Sequence, residues 1–220
     1  MRKSAIAAAF VVTLICTLTS GAALMTYNQQ ASYTSVSTNA GLWQDGRDDA
    51  VGFDPFNSSL SLSSADELTS ADSTLDVSFN DDQVISLGQI STTTTASSSA
   101  SSYSVVDFNI TLSEDATVSI TGTMSSTLHA STEIIVYDSG NNWKIYASSL
   151  LSDSHNNLPV NESVELSAGN YRVFFRSFDE NYSNNQTYSA GFDLTMTVVP
   201  EPATMMIMAA GMLGLLRKRS

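Results

Sequence analysis

From about residue 27 to residue 198 the chain alternates apolar and polar positions, and sustained helical periodicity is absent. A period of two puts successive side chains on opposite faces of a strand. "VVDFNITLS" places Val106, Phe108, Ile110 and Leu112 on one side, with Asp107, Asn109 and Thr111 opposite. "ATVSITGTM" continues with Val118, Ile120 and Met124, and the short polar Glu114-Asp115 between the two segments predicts a hairpin. "TEIIVYD" and "NWKIYAS" flank Asp138-Ser139-Gly140-Asn141-Asn142, a run of turn-forming residues. In "SVELSAGNYRVFFRSF", Val164 and Leu166 precede a Gly169-Asn170 turn and Tyr171, Val173 and Phe175 follow it. Arg172, Phe174 and Arg176 then share the other face. The last segment, "YSAGFDLTMTVV", aligns Tyr188, Ala190, Phe192, Leu194, Met196 and Val198. Six or seven such strands predict an all-β antiparallel sandwich or jelly-roll-like body.

The first half is weaker in pattern. "SLSLS", "TLDVSF" and "VISLGQI" read as short strands, and Ser63 to Thr69 as one helical turn or a polar loop. The low-complexity stretch 91–104, "STTTTASSSASSYS", is open to two readings. It is a flexible linker by composition, or a strand by the β-propensity of threonine, and the second reading makes it an exposed strand within a single domain.

The two ends differ from this body. Arg2-Lys3, an apolar run from Ala5 to Leu18 and small residues at Ser20-Gly21-Ala22-Ala23 have the layout of a secretory signal peptide. Residues 1–23 are thus expected to be a signal helix removed by signal peptidase after Sec export, with the body at 24–198. The single cysteine, Cys16, lies in that leader, so the mature body would contain no disulfide and no cysteine-based metal or redox site. At the other end, Pro200-Glu201-Pro202 precedes an apolar run from Ala203 to Leu216 and the basic cluster Arg217-Lys218-Arg219. The prolines are expected to stop the last strand, leave Glu201 extended and accessible, and divide the body from a C-terminal hydrophobic helix. The basic cluster would keep the C-terminus on the cytoplasmic side of a membrane by the positive-inside rule.

Charge narrows the partners. The formal charge is −13, and five of nine basic residues lie in the two end segments, leaving Arg47, Lys144, Arg172 and Arg176 in the body. Such a surface repels phosphate backbones, which excludes nucleic acid as a partner. Catalytic chemistry is sparse: His129 and His155 both sit in polar, loop-like sequence, and no G-x-S-x-G elbow occurs. The body is therefore read as non-enzymatic, with a glycan hydrolase using a carboxylate pair as the remaining enzymatic alternative. Asp45, Asp48 and Asp49 lie in an acidic stretch read first as a solvated loop and second as weak Ca²⁺ ligands; no other cofactor is expected. Trp43, Trp143, Tyr146 and Phe174 are candidates for stacking on the apolar faces of sugars, with Tyr146 and Phe174 on the polar side of their strands. Asn-x-Ser/Thr triplets occur at Asn57, Asn109, Asn161, Asn181 and Asn185.

The order Val199-Pro200-Glu201-Pro202-Ala203-Thr204, short hydrophobic run and terminal basic cluster, behind an N-terminal export signal, resembles the PEP-CTERM sorting signal of Gram-negative bacteria (199–220). The resemblance implies that exosortase, a membrane transpeptidase-like cysteine protease, recognises Pro200, Glu201 and Pro202 and removes the tail. The chain would be held transiently in the inner membrane, then passed to the cell surface or exopolysaccharide matrix. "LSAGNYRVFF" is also similar to the "aGtY-x-v" hairpin of many exported sandwiches, including pre-peptidase C-terminal-like domains. The expectation is an exported, non-enzymatic surface or matrix protein associated with exopolysaccharide, with a carbohydrate-binding module of the matrix as the alternative.

Overall fold

The computed structural model describes residues 25–39, 43–64, 69–95, 98–127, 129–149, 155–182 and 185–201. They form thirteen strands and no helix: β1 (Met25–Gln30), β2 (Tyr33–Asn39), β3 (Trp43–Asp49), β4 (Phe56–Ser63), β5 (Ser70–Phe79), β6 (Gln83–Thr93), β7 (Ser99–Leu112), β8 (Ala116–Ser126), β9 (Ser131–Asp138), β10 (Trp143–Ser149), β11 (His155–Leu166), β12 (Gly169–Tyr182) and β13 (Thr187–Pro200). The expected signal segment, the hydrophobic tail helix and residues 65–68 lie outside the described residues.

All pairings are antiparallel. A front sheet runs β10-β9-β12-β7-β2-β3, with β1 also paired to β7, and a back sheet runs β11-β8-β13-β6-β5-β4. β1 and β2 occupy successive stretches of one side of β7: Met25 faces Leu112, and Tyr33 faces Val105. At the break between them the Ala31 N–H donates to the Asp107 carbonyl at 2.8 Å, and the Asp107 N–H donates to Ser32 Oγ at 3.1 Å. The backbone groups of the interruption are thereby satisfied.

The alternating positions face the shared interior as the pattern predicts. Val106, Phe108, Ile110 and Leu112 of β7 are buried, as are Val118, Ile120 and Met124 of β8 and Phe192, Leu194, Met196 and Val198 of β13. At this end an aromatic chain fills the gap between the sheets: Tyr27, Phe79 and Phe108 meet edge-on at 5.2–6.0 Å, and Phe175 follows at 6.4 Å. Edge-to-face contacts at these spacings suit the quadrupoles of the rings. Phe192 extends this chain 6.4 Å beyond Phe175, and Gly88 makes room for it, since a Cβ there would stand 2.4 Å from the Phe192 ring.

Toward the opposite end, the inward residues of the same strands become small and polar. On β7 they are Ala100, Ser102 and Ser104; on β12 they are Ser177, Asp179 and Asn181. Hydroxyls here bridge the sheets. Ser73 Oγ donates to the Tyr103 carbonyl at 2.6 Å and Ser104 Oγ to the Thr74 carbonyl at 2.9 Å. Thr34 and Ser58 bond at 3.1 Å, and Thr94 donates to Asn181 at 2.9 Å. A hydroxyl one atom beyond Cβ reaches the opposite backbone only where the sheets approach closely.

Several expectations are corrected. Glu114-Asp115 does not close a hairpin, because β7 belongs to the front sheet and β8 to the back. The Gly169-Asn170 segment likewise carries the chain from β11 in the back sheet to β12 in the front. The two crossings meet where the Ala168 N–H donates to Asp115 Oδ1 at 2.9 Å. Alternation reports which side chains enter the core. Both sheets share that core, so alternation is silent on whether the next strand pairs or crosses. The stretch 91–104 is not one exposed strand: 91–93 end β6 in the back sheet and 99–104 open β7 in the front sheet, and Thr92, Thr94, Ser98, Ala100, Ser102 and Ser104 are buried. The Asp45–Asp49 stretch is not a loop but the edge strand β3. Pro200, finally, does not stand beyond the last strand; it ends β13 as the partner of Ala116, an end position where its missing N–H is tolerated.

Candidate functional site

The two outer surfaces of the sandwich differ. The front sheet carries all four basic residues of the body, each paired with a carboxylate. Arg172 grips Asp107 through Nε at 2.8 Å and Nη2 at 2.6 Å. Arg176 bonds Glu133 at 2.8 Å, Arg47 bonds Asp49 at 2.7 Å, and Lys144 reaches Asp138 at 3.1 Å. Aromatic rings stand among them: the Arg47 guanidinium lies 3.9 Å above Tyr33, and that of Arg176 lies 4.3 Å from Phe178 and 5.5 Å from Phe174. Stacked guanidinium groups keep some cation–π attraction even at exposed sites. The back sheet presents hydroxyls and carboxylates instead, such as Thr121, Thr123, Asp76 and Asp193, with Ile85 and Leu87 partly exposed between them.

Trp143 and Tyr146 come together at the front-sheet edge. An unbroken strand would point residues three apart to opposite faces. The register shifts between Trp143 and Ile145, so Trp143 faces Tyr137, Ile145 faces Val136, and Tyr146 faces Ile135. This bulge at Lys144 turns both rings outward. They stack with centroids 4.7 Å apart and planes inclined by 17°, and are 61% and 45% exposed. Each gives one face to the other, which leaves the outer face of the pair for a ligand.

The turn before Trp143 is rigidly organised. Asp138 Oδ1 accepts from the Gly140 N–H at 2.8 Å, the Asn142 N–H at 2.9 Å and Asn142 Nδ2 at 3.1 Å. The Asn142 amide groups, then Lys144, hold the Asp138 carboxyl well below the usual carboxylate range. Asn141 takes φ of 59°, a left-handed conformation that asparagine tolerates. Beside this turn lies a hollow of about 380 Å³, lined by Asn28, Asn109, Asp138, Asn141, Asn170 and Arg172 among others. Its floor is ordered by a side-chain relay: Asn28 Nδ2 donates to Thr111 Oγ1 at 2.5 Å, and Thr111 Oγ1 to Asn170 Oδ1 at 2.5 Å. The sequence reading missed this group of amides. Their signal was present, as asparagines alternating with core residues at Asn109-Ile110 and Asn170-Tyr171.

The other sequence candidates fall elsewhere. Phe174 is partly buried between Arg172 and Arg176, away from the stacked pair's strand. Trp43 opens β3 opposite Asn39, on the far edge of the front sheet from β10. Asp45, Asp48 and Asp49 are exposed on β3, and register puts Asp45 and Asp49 on one face with Asp48 on the other. Among the described residues no three His, Cys, Asp or Glu side chains converge to hold a metal ion. His129 is exposed in a turn with its ring 5.2 Å from Tyr188, and His155 opens β11. Asn57, Asn161 and Asn185 are exposed, whereas Asn181 is buried and bonded to Thr94 and the Gln186 carbonyl. Of the tail, Pro200 and Glu201 are described. The Glu201 N–H donates to the Asp115 carbonyl at 3.2 Å, so the start of the motif is held against the folded body. Pro202 and Arg217-Lys218-Arg219 lie outside the described residues.

One buried titratable group stands apart from these surfaces. Asp179 is fully buried between the sheets and accepts a hydrogen bond from Thr92 through Oδ2. Its Oδ1 has no partner among the described residues. Burial, only partly offset by that bond, pushes its carboxyl up to about 6.

Residues 198–220 match the PEP-CTERM protein-sorting motif. The chain thus carries a sorting signal of Gram-negative bacteria, of the kind that marks a protein for export and processing by exosortase at the membrane, and its described residues are all-β. Among the described residues no helix is long and apolar enough to cross a membrane. No curated protein matches the sequence. Among solved structures, the enzymatically active domain of tailspike protein 4 from bacteriophage CBA120 is similar at 10% identity and a TM-score of 0.28, over 58% of this chain and 19% of that one. A structure of infectious bursal disease virus, Gx strain, is similar at 8% identity and a TM-score of 0.26, over 76% and 58%. The chain spans about a fifth of the tailspike domain's length and somewhat over half of the viral chain's.

Proposed function

We propose that this protein is a non-enzymatic constituent of the cell surface or extracellular matrix, delivered there by its C-terminal signal and associated with exopolysaccharide. The sorting motif at 198–220, whose first residues are the end of β13, carries the reading. Pro200, Glu201 and Pro202 act as a substrate's recognition residues, Arg217-Lys218-Arg219 as the stop at the cytoplasmic side, and the inner membrane as a temporary host. Replacing Pro200-Glu201-Pro202 with alanines should leave the tail attached and the protein in the inner membrane, as read by mass spectrometry of the C-terminus and by fractionation. Unchanged processing and release would overturn it.

A second reading, a carbohydrate-binding module of the matrix, is favoured by the exposed Trp143–Tyr146 stack. Aromatic faces pair with the apolar C–H faces of sugars and shield both from water. Loss of matrix-polysaccharide capture by Trp143→Ala would support this reading. Polysaccharide hydrolysis abolished by a carboxylate substitution would replace both readings with a glycan-active enzyme.

A further inference from the structure

We propose that the amide-lined hollow beside the Asp138–Asn142 turn is a binding subsite for a neutral glycan, with the Trp143–Tyr146 stack, on the strand that follows this turn, as a neighbouring apolar contact on the same sheet. This deepens the carbohydrate-binding reading and rests on it. Three observations on the front sheet support the site.

The first is shape. The hollow of about 380 Å³ adjoins a second of about 270 Å³ through the shared residues Asn109 and Arg172, so the concavity extends along the outer face toward Ala31. The first of these volumes falls in the usual range of ligand pockets, about 300–1,000 Å³, and the second extends it. An extended concavity on an open sheet face suits a chain of sugars better than an isolated small molecule.

The second is the donor and acceptor set. Four asparagines line the hollow, and each carboxamide offers donors and an acceptor together. A pyranose presents hydroxyls that donate and accept at once, so side-chain amides match it group for group. The amides are also preorganised. Thr111 takes up Asn170 Oδ1 and so orients its NH₂ group, while the Asp138 turn fixes the backbone at Asn141. Holding these groups before binding reduces the entropy lost on complex formation.

The third is charge. Every charged side chain lining the hollow already has a counter-charge: Arg172 binds Asp107, and Asp138 binds Lys144. Asp107 occupies two of the five guanidinium N–H donors of Arg172, so the group can still donate to a hydroxyl. No uncompensated cation is offered to a uronate, and the body around it is acidic. The chemistry therefore selects neutral sugars over anionic ones.

The test is titration calorimetry of the full-length protein in detergent with cellotetraose, maltotetraose and mannotetraose, against a galacturonate tetramer. At least one neutral tetrasaccharide should bind, and the galacturonate should bind more weakly. Trp143→Ala and Asn170→Ala should each weaken binding about tenfold, the loss expected for one stacking contact or one set of hydrogen bonds. Leu87→Ala on the back sheet should leave affinity unchanged, and unaltered thermal unfolding would show each variant folded. The proposal is overturned if no neutral tetrasaccharide binds, if Asn170→Ala binds like the wild type, or if galacturonate binds more tightly. Capture of native matrix polysaccharide separates the two levels of inference. Capture lost in Trp143→Ala but kept in Asn170→Ala removes the subsite and leaves the module reading standing, whereas no capture by the wild type removes both.

Discussion

The two ends of the sandwich interior are built on different chemistry, and β7 runs through both. Its inward residues are Ala100, Ser102 and Ser104 at one end and Val106, Phe108, Ile110 and Leu112 at the other. β12 changes in the reverse chain direction, from Tyr171, Val173 and Phe175 to Ser177, Asp179 and Asn181. Because the strands are antiparallel, each half-strand meets a half-strand of its own kind. The apolar end is held by removal of surface from water and by ring contacts, terms that are large and weakly directional. The hydroxyl end is held by bonds such as Ser73 to Tyr103 and Thr34 to Ser58. These add about 1 kcal/mol each but are costly to leave unmade, so they favour a particular alignment of the sheets more than they add stability.

The contrast is open to three substitutions and to one measurement without mutation. Phe108→Ala should have the largest effect, a loss of about 3–5 kcal/mol in urea unfolding, because Phe108 is fully buried amid Tyr27, Phe79 and Phe175. A loss under about 1 kcal/mol would mean that the aromatic chain is not the main support.

Asp179→Asn comes next and acts in the opposite direction. The folded carboxyl titrates at about 6 against 3.8 for the ordinary group, so folding favours the protonated form. The resulting stabilisation is fully present below pH 3.8 and lost as pH rises through 6. The amide variant, which keeps an acceptor for Thr92, should therefore be about 2–3 kcal/mol more stable than wild type at pH 8 and similar to it at pH 3. A wild type whose stability does not change between those pH values would show that water or a cation compensates the charge.

The smallest effect is expected for Ser73→Ala, about 1 kcal/mol, since it removes one bond from the hydroxyl layer. Native-state hydrogen exchange reads the same contrast without mutation: amides of Phe192 to Val198 should exchange more slowly than those of Tyr188 and Ala190 on the same strand. Equal protection along β13 would mean that the two ends open as one unit.

Legibility in the sequence followed the same division. The inward positions of the apolar segments were legible, with Val164 only partly buried, because a buried Val or Phe between polar neighbours has one good orientation. The serine- and threonine-rich strands were harder to read, because the same residue type serves both surface and interior. Thus 91–104 suggested a linker or exposed strand, and β1, β2 and β3 were not anticipated. Trp143 and Tyr146 were recognised as candidates individually, but their contact depends on the bulge at Lys144, which alternation alone does not announce. The asparagines of the hollow come from β1, β7, the β9–β10 turn and β12, and no local spacing links them.

By itself the sequence determined the all-β class, the inward residues of the apolar strands and the sorting signal, because each depends on short-range order along the chain. Tertiary structure decided which strands pair and which cross, that the hydroxyl-rich strands are buried, and that Pro200 is a strand residue. It also decided that one outer face collects the rings, cations and amides. Those outcomes depend on which half-strands meet, and antiparallel packing brings together residues far apart in sequence, such as Asn28, Thr111 and Asn170.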